Sequence, residues 1–208
     1  MTRRPRLVVA SLNRAKAAEI ARILSDEGVD FEVLSLADFP QVELPPETGE
    51  MFAENALAKA RHAAAALGMA AAADDSGLEV EALGGAPGVL SARYAGEDAS
   101  DQDRCRKLLA EMIDVPHDRR AARFHCAAAY ATPEGQVLLA EGTCAGAIAR
   151  EPAGSGGFGY DPIFIPQGEE RTMAQLTSAE KHAISHRGRA FRKLAKLIRE
   201  QLGTAESG

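Results

Sequence analysis

Lys16, Lys59 and Lys181 are three of only six lysines in a chain that carries eighteen arginines, and each falls inside a motif-like segment. Lys16 closes Ser11-Leu-Asn-Arg-Ala-Lys16, Lys59 lies in Phe52-Ala-Glu-Asn-Ala-Leu-Ala-Lys-Ala60, and Lys181 lies in Ser178-Ala-Glu-Lys-His-Ala-Ile-Ser-His-Arg187. A compact ammonium on a flexible stem suits a point contact to a phosphate, where arginine would impose a planar fork. Between these segments stand an acidic pair, Asp74-Asp75, and a glycine-rich aromatic run, Gly154-Ser-Gly-Gly-Phe-Gly-Tyr-Asp161. Phosphate contacts, carboxylates and an aromatic platform together describe a nucleotide site.

Each segment also has a plainer reading. Ser11, Asn13 and Lys16 sit where a helix should begin, and unpaired N–H groups there favour an anion; an ordinary cap with a solvated lysine would look the same. The Walker pattern is absent. Glu47 precedes a helix and Asp74-Asp75 close a strand, so carboxylates arrive from separate element ends, as a magnesium ion attached to a substrate phosphate requires. Adjacent aspartates are also common turn residues, and spacing does not say which of the two would face a metal. Gly154-x-Gly156-x-x-Gly159 matches the dinucleotide fingerprint in form, but it leads into Tyr-Asp-Pro instead of a helix, which excludes that site. Its glycines instead allow close backbone approach, and Phe158 offers a face on which a base can stack. His182 and His186 have a metal-like spacing with no third ligand evident; His186-Arg187 with Lys181 reads better as a donor cluster for a carbonyl-bearing base or a phosphate.

The elements that must position these residues follow from periodicity. The spacing predicts a buried strand over 6–10 and a helix over 14–27 capped by Asn13, with Ile20, Ile23 and Leu24 on one face. A strand over 31–34 follows, then a helix over 50–67 capped by Thr48. Met69–Ala73 reads as a short strand ended by the polar break at Asp74-Asp75, and Leu78–Leu83 as a second strand. A helix from Ser100 to Ile113 opens with a capping box. Strands over 123–131 and 136–150 are joined by a turn at Pro133-Glu134-Gly135. The last helix starts at Thr177, is interrupted near Gly188 and ends about Leu202, leaving 203–208 as a frayed tail. The alternation of strands and helices followed by a hairpin predicts a mixed α/β sheet.

At 208 residues the chain supports one domain, taken as 1–202. With 46% hydrophobic and 26% charged residues it reads as a soluble globular protein, and a formal charge of −6 argues against a nucleic-acid surface. Cys105, Cys126 and Cys144 have neither the even count of a disulfide framework nor metal-ligand spacing, and are expected to be thiols. The apolar stretch after the N-terminal arginines is too short for a signal peptide or membrane span, which predicts a cytoplasmic protein that does not engage a membrane.

In order along the chain stand Ser-x-Asn-x-x-Lys, Glu-Thr-Gly-x-x-Phe-x-Glu-Asn-Ala-x-x-Lys-Ala, Ala-Asp-Asp-Ser-Gly-Leu, Gly-Gly-Ala-Pro-Gly-Val-x-Ser-Ala-Arg-Tyr, Gly-Gly-Phe-Gly-Tyr-Asp-Pro-Ile-Phe and Glu-Lys-x-x-Ile-Ser-His-Arg. Each is weak alone, but the ordered set closely resembles the inosine triphosphate pyrophosphatase family, diphosphatases acting on XTP, ITP and dITP. The resemblance implies an elongated mixed β-sheet flanked by helices that form two lobes with a nucleotide cleft between them, a homodimer and a Mg2+ requirement. It implies triphosphate binding by Ser11, Leu12, Asn13, Arg14, Ala15 and Lys16, with Lys59 adding positive charge. It implies a metal ligand at Glu47, both metal ligand and general base at Asp75, and nucleotide contacts at Ser76, Phe158, Gly159, Tyr160, Asp161, Lys181, His186 and Arg187. Many members carry a small residue where this chain has Leu12. The implied reaction is hydrolysis between the α- and β-phosphates, with donors reading the 6-oxo group of hypoxanthine or xanthine. A related pyrophosphatase preferring pyrimidine or modified nucleotides, and a nucleotide-binding regulator that does not turn over its ligand, are the competing readings.

Overall fold

A computed structural model describes residues 4–205. Among these residues, six strands form one mixed sheet in the order β2-β1-β3-β4-β5-β6. They are β1 (Arg6–Val9), β2 (Glu32–Ser35), β3 (Ala70–Val80), β4 (Ala121–Ala131), β5 (Val137–Ile148) and β6 (Phe164–Pro166). The five α-helices among the described residues are α1 (Arg14–Asp26), α2 (Phe52–Leu67), α3 (Asp101–Glu111), α4 (Ser178–Ile184) and α5 (His186–Ala205). β1 runs parallel to both β2 and β3, whereas β5 and β6 are antiparallel. No helix among the described residues is long and apolar enough to cross a membrane.

The chain groups into two compact units. The first comprises Met1–Asp75, Cys126–Gly142 and Arg187–Gly208. Leu7, Val8 and Val9 in β1 are fully buried, as expected of a parallel strand covered on both faces. One core joins Leu7 and Val9 to Ile20 and Leu24 of α1, Ala128 of β4, and Phe191, Leu194 and Ile198 of α5. Fully burying side chains of this size stabilises by about 1.5–3 kcal/mol each. The second unit comprises Ser76–His125 and Thr143–His186. Its core joins Leu78 and Val80 of β3 to Leu108 of α3, Phe124 of β4, Ile148 of β5, and Ile163 and Phe164.

Several helix starts follow the sequence closely. Asn13 caps α1 by accepting from the Lys16 amide at 3.1 Å, and Ser100 and Thr177 head capping boxes with Asp103 and Glu180. The hairpin turn is present, with the Thr132 amide donating to Gln136 and Gly135 at φ +92°.

Four expectations need correction. α2 begins at Phe52 with Met51 at its cap, because Glu54 accepts from the Glu50 and Met51 amides; Thr48 stands outside it. Asp74 and Asp75 do not break the chain: β3 runs unbroken through them to Val80, and Glu81–Leu83 form a 3-10 turn, not strand. The interruption before α5 falls at Ser185, extended at φ −63° and ψ 145°, and not at Gly188. α5 reaches Ala205, so the start of the expected tail is helical and 206–208 lie outside the described residues. The edge strand β6 has no counterpart among the elements expected from periodicity.

Candidate functional site

In the first unit, polar side chains gather around the two aspartates of β3. Asp74 is buried, with 1% of its side chain exposed, between Lys16 Nζ at 2.9 Å and Arg187 Nε at 3.1 Å. Arg187 also donates from Nη1 to Glu19 at 3.3 Å. Burial works against the Asp74 charge, but Lys16 and Arg187, with Lys59 behind them, hold its carboxyl well below the usual carboxylate range. Burial likewise opposes the Arg187 charge, and the adjacent Asp74 raises its pKa in spite of that. Asp74 is thus a fixed anion locking α1 and α5 to β3.

Asp75 has different company. Asn55 Nδ2 donates to Asp75 Oδ2 at 2.8 Å, and Lys59 Nζ stands 3.9 Å from Asp75 Oδ1. The same ammonium is ion-paired with Glu47. Asn55 is 3% exposed and its Oδ1 accepts from the Gly49 amide at 2.8 Å, so one side chain ties the loop bearing Glu47 to Asp75. A Cβ at Gly49 would come within 2.7 Å of Asn55 Oδ1, which explains a glycine there. Two carboxylates from separate elements therefore converge on one ammonium.

The segment leading into α1 is anchored from within this unit. The Ser11 hydroxyl accepts from the Asn13 amide at 3.2 Å, and its carbonyl accepts from Ser35 at 3.1 Å. Leu12 is 67% exposed, Ala15 is exposed, and Arg14 pairs with Asp38 at 2.6 Å. Of the six residues in this run, only Lys16 sends its charge to the aspartates.

In the second unit, the aromatic run folds around Asp161. Asp161 Oδ2 accepts from the Phe158 amide at 2.8 Å and is ion-paired with Lys181, whose Nζ lies 4.5 Å from the centre of the Phe158 ring. Gly157 has φ +75°, and a Cβ there would collide with the Asp161 carboxylate. Gly159, at φ +61°, donates its amide to Asp101 Oδ2 at 2.7 Å. The Tyr160 hydroxyl donates to Ser91 O at 2.9 Å, so its side chain serves as an anchor; burial raises its pKa. Burial also pushes the Cys105 thiol up to about 11, and it donates to Gly159 O at 3.4 Å. All three cysteines are buried and none forms a disulfide. His186 stacks on Phe124 with ring centres 4.8 Å apart, and Ser76 stands half-buried on β3.

The structure thus joins Lys16, Lys59, Glu47, Asp75 and Arg187 in one cluster, and Phe158, Gly159, Asp161 and Lys181 in another. Asn55 and Asp101 are missed by sequence reasoning because both read locally as ordinary helix residues. Asn55 stands beside Glu54 in a motif already recognised, and that position was the available signal. The first cluster is suited to anionic oxygens and a proton, the second to a flat ring.

The Ham1 family model matches residues 7–197. A Streptomyces coelicolor protein named dITP/XTP pyrophosphatase is 49% identical over 198 residues, spanning 95% of this chain and 99% of its own. The solved structure of a Ham1 protein from Coxiella burnetii superposes with a TM-score of 0.86 at 43% identity, covering 94% of this chain and 99% of that one. That of a nucleoside-triphosphatase, dITP/XTP pyrophosphatase, from Mycobacterium abscessus gives 0.76 at 51% identity, covering 91% and 97%.

Proposed function

The chain belongs to the Ham1 family, and we propose that it hydrolyses the non-standard purine nucleotides XTP, ITP and dITP to the monophosphate and pyrophosphate. One observation carries the reading: Asp75 and Glu47 converge on Lys59, with Asn55 holding Asp75 by one oxygen. The other oxygen of Asp75, Oδ1, is assigned to accept the proton of an attacking water.

Mg2+ fits this donor set. Two hard carboxylates, with 32% and 10% of their side chains exposed, suit an ion that keeps most of its waters and takes its remaining oxygens from substrate. No all-protein cage of three or more acidic, His or Cys side chains comes together among the described residues. Glu47 and Asp75 would hold the ion, which when bound neutralises charge on the phosphate oxygens. Lys16 and Lys59 bind phosphates, and the start of α1 adds the partial positive charge of a helix N-terminus.

Phe158 stacks on the base, and Lys181 and His186 supply donors for a 6-oxo group. Adenine presents an amino donor there and would leave those donors unpaired. Arg187, held by Asp74 and Glu19, is assigned to fixing the acidic pair in place of reaching the base. The competent form is taken to be a homodimer of this single catalytic domain.

The test is pyrophosphate release from ITP, XTP, dITP, GTP, ATP and dTTP, with and without magnesium. The reading expects kcat/KM for the first three to exceed that for ATP by about two orders of magnitude, with loss of activity in chelator. Preference for dTTP, or nucleotide binding without release, would replace it with one of the competing readings.

A further inference from the structure

The amides on the two sides of Phe158 are held by two different carboxylates. Its own N–H goes to Asp161 at 2.8 Å, and the next one, of Gly159, goes to Asp101 at 2.7 Å. Fixing both flanking peptide planes fixes φ and ψ of Phe158, and with them the direction in which its Cα–Cβ bond points. This matters because Phe158 is 57% exposed, so packing alone does little to aim the ring. Asp101 is well placed to act as such an anchor. It is the first residue of α3, where the helix dipole favours an anion. It is also ion-paired with Arg104, whose guanidinium donates to Ala92 O at 2.8 Å and Ala99 O at 2.7 Å. Burial opposes the Asp101 charge, but the Gly159 amide and Arg104 together hold its carboxyl below the usual range.

We infer that Asp101 is a positioning residue for base recognition, acting through Gly159 to preorganise the Phe158 ring for stacking on a flat, purine-like base. The inference rests on the reading of Phe158 as the base platform. Preorganisation improves binding by removing the cost of ordering a loop at the moment the ligand arrives.

The test uses inosine monophosphate and pyrophosphate, the two products, as competitive inhibitors of ITP hydrolysis; only the first carries a base. Losing one charge-assisted hydrogen bond should weaken inhibition by inosine monophosphate about threefold to tenfold in Asp101→Ala, with pyrophosphate changed by less than about twofold. Asp101→Asn keeps an oxygen acceptor for Gly159 and should return the first constant to within about twofold of wild type. In a Phe158→Ala background, Asp101→Ala should add nothing further, because the effect passes through the ring. Should Asp101→Ala fail to fold, Asp101→Ser suits the start of a helix yet is too short to reach Gly159, and takes its place. Parallel weakening of both inhibitors, or an additional loss in the double variant, overturns the inference. If Phe158→Ala leaves inosine monophosphate inhibition unchanged, the stacking reading itself falls. If Phe158→Ala weakens it and Asp101→Ala does not, only the positioning role falls.

Discussion

Adjacent residues of identical type, Asp74 and Asp75, are given opposite roles by their neighbours. Asp74 is saturated by Lys16 and Arg187, whereas Asp75 has one oxygen on an amide and the other facing an ammonium 3.9 Å away. Asp75→Asn should therefore fold normally and lose at least on the order of 100-fold in kcat, since it removes the proposed base and weakens a proposed metal ligand. Asp74→Asn should instead lose stability, because Lys16 loses its carboxylate partner and the buried Arg187 keeps Glu19 but loses Asp74. The two variants separate when melting temperature and pyrophosphate release are measured together. Lys16→Ala should show both effects, with a loss of about 1–3 kcal/mol, since it strips one partner from a buried carboxylate. Acid should act on the same contact. The folded pKa of Asp74 lies below its ordinary value of 3.8, so its stabilisation is complete above that value and is lost as pH falls through the folded one. A stability profile over pH 2–6 should fall at its acid end in wild type and be flatter in Asp74→Asn.

Among the elements, helix starts were readable in the sequence because caps are local: Asn13, Ser100 and Thr177 each bond within three residues. β3 was misread for the opposite reason. Two consecutive aspartates inside a strand are stable only with cations beside them, and Arg187 arrives from 113 residues away. Local propensity at Asp74-Asp75 cannot see that partner. The same holds for the site. Its lysines, carboxylates and Phe158 announced themselves by type, while Asn55 acts through the Asp75 carboxylate 20 residues on and Asp101 through the Gly159 amide 58 residues on, partners that no spacing encodes. A further element-level device is Arg120, 2% exposed, which directs its guanidinium to carbonyls: Ile148 at 2.8 Å, Met112 at 2.7 Å, Val115 at 3.3 Å and Ala149 at 2.9 Å. It ties the end of α3 to β4 and β5. Arg120→Ala should cost about 3 kcal/mol or more through orphaned carbonyls, and Arg120→Lys should recover only part, because an ammonium cannot span the same fork. Urea unfolding midpoints at constant slope would measure both.

For the molecule as a whole, a formal charge of −6 must be reconciled with a polyanionic substrate. Three lysines of the two clusters already have carboxylate partners: Lys16 with Asp74, Lys59 with Glu47, and Lys181 with Asp161. On the proposed function, nucleotide capture is then a swap of counterions and not the filling of a bare basic pocket: an ammonium that turns to a phosphate loosens a bond to its own protein. Little net positive field is left to draw the ligand in from a distance, so kcat/KM should respond only weakly to ionic strength. Raising salt from about 0.02 to 0.3 M, which shortens the screening length from roughly 20 to 6 Å, should change it by less than about threefold. A steep fall would mean that the lysines let go of their carboxylates before they meet the substrate.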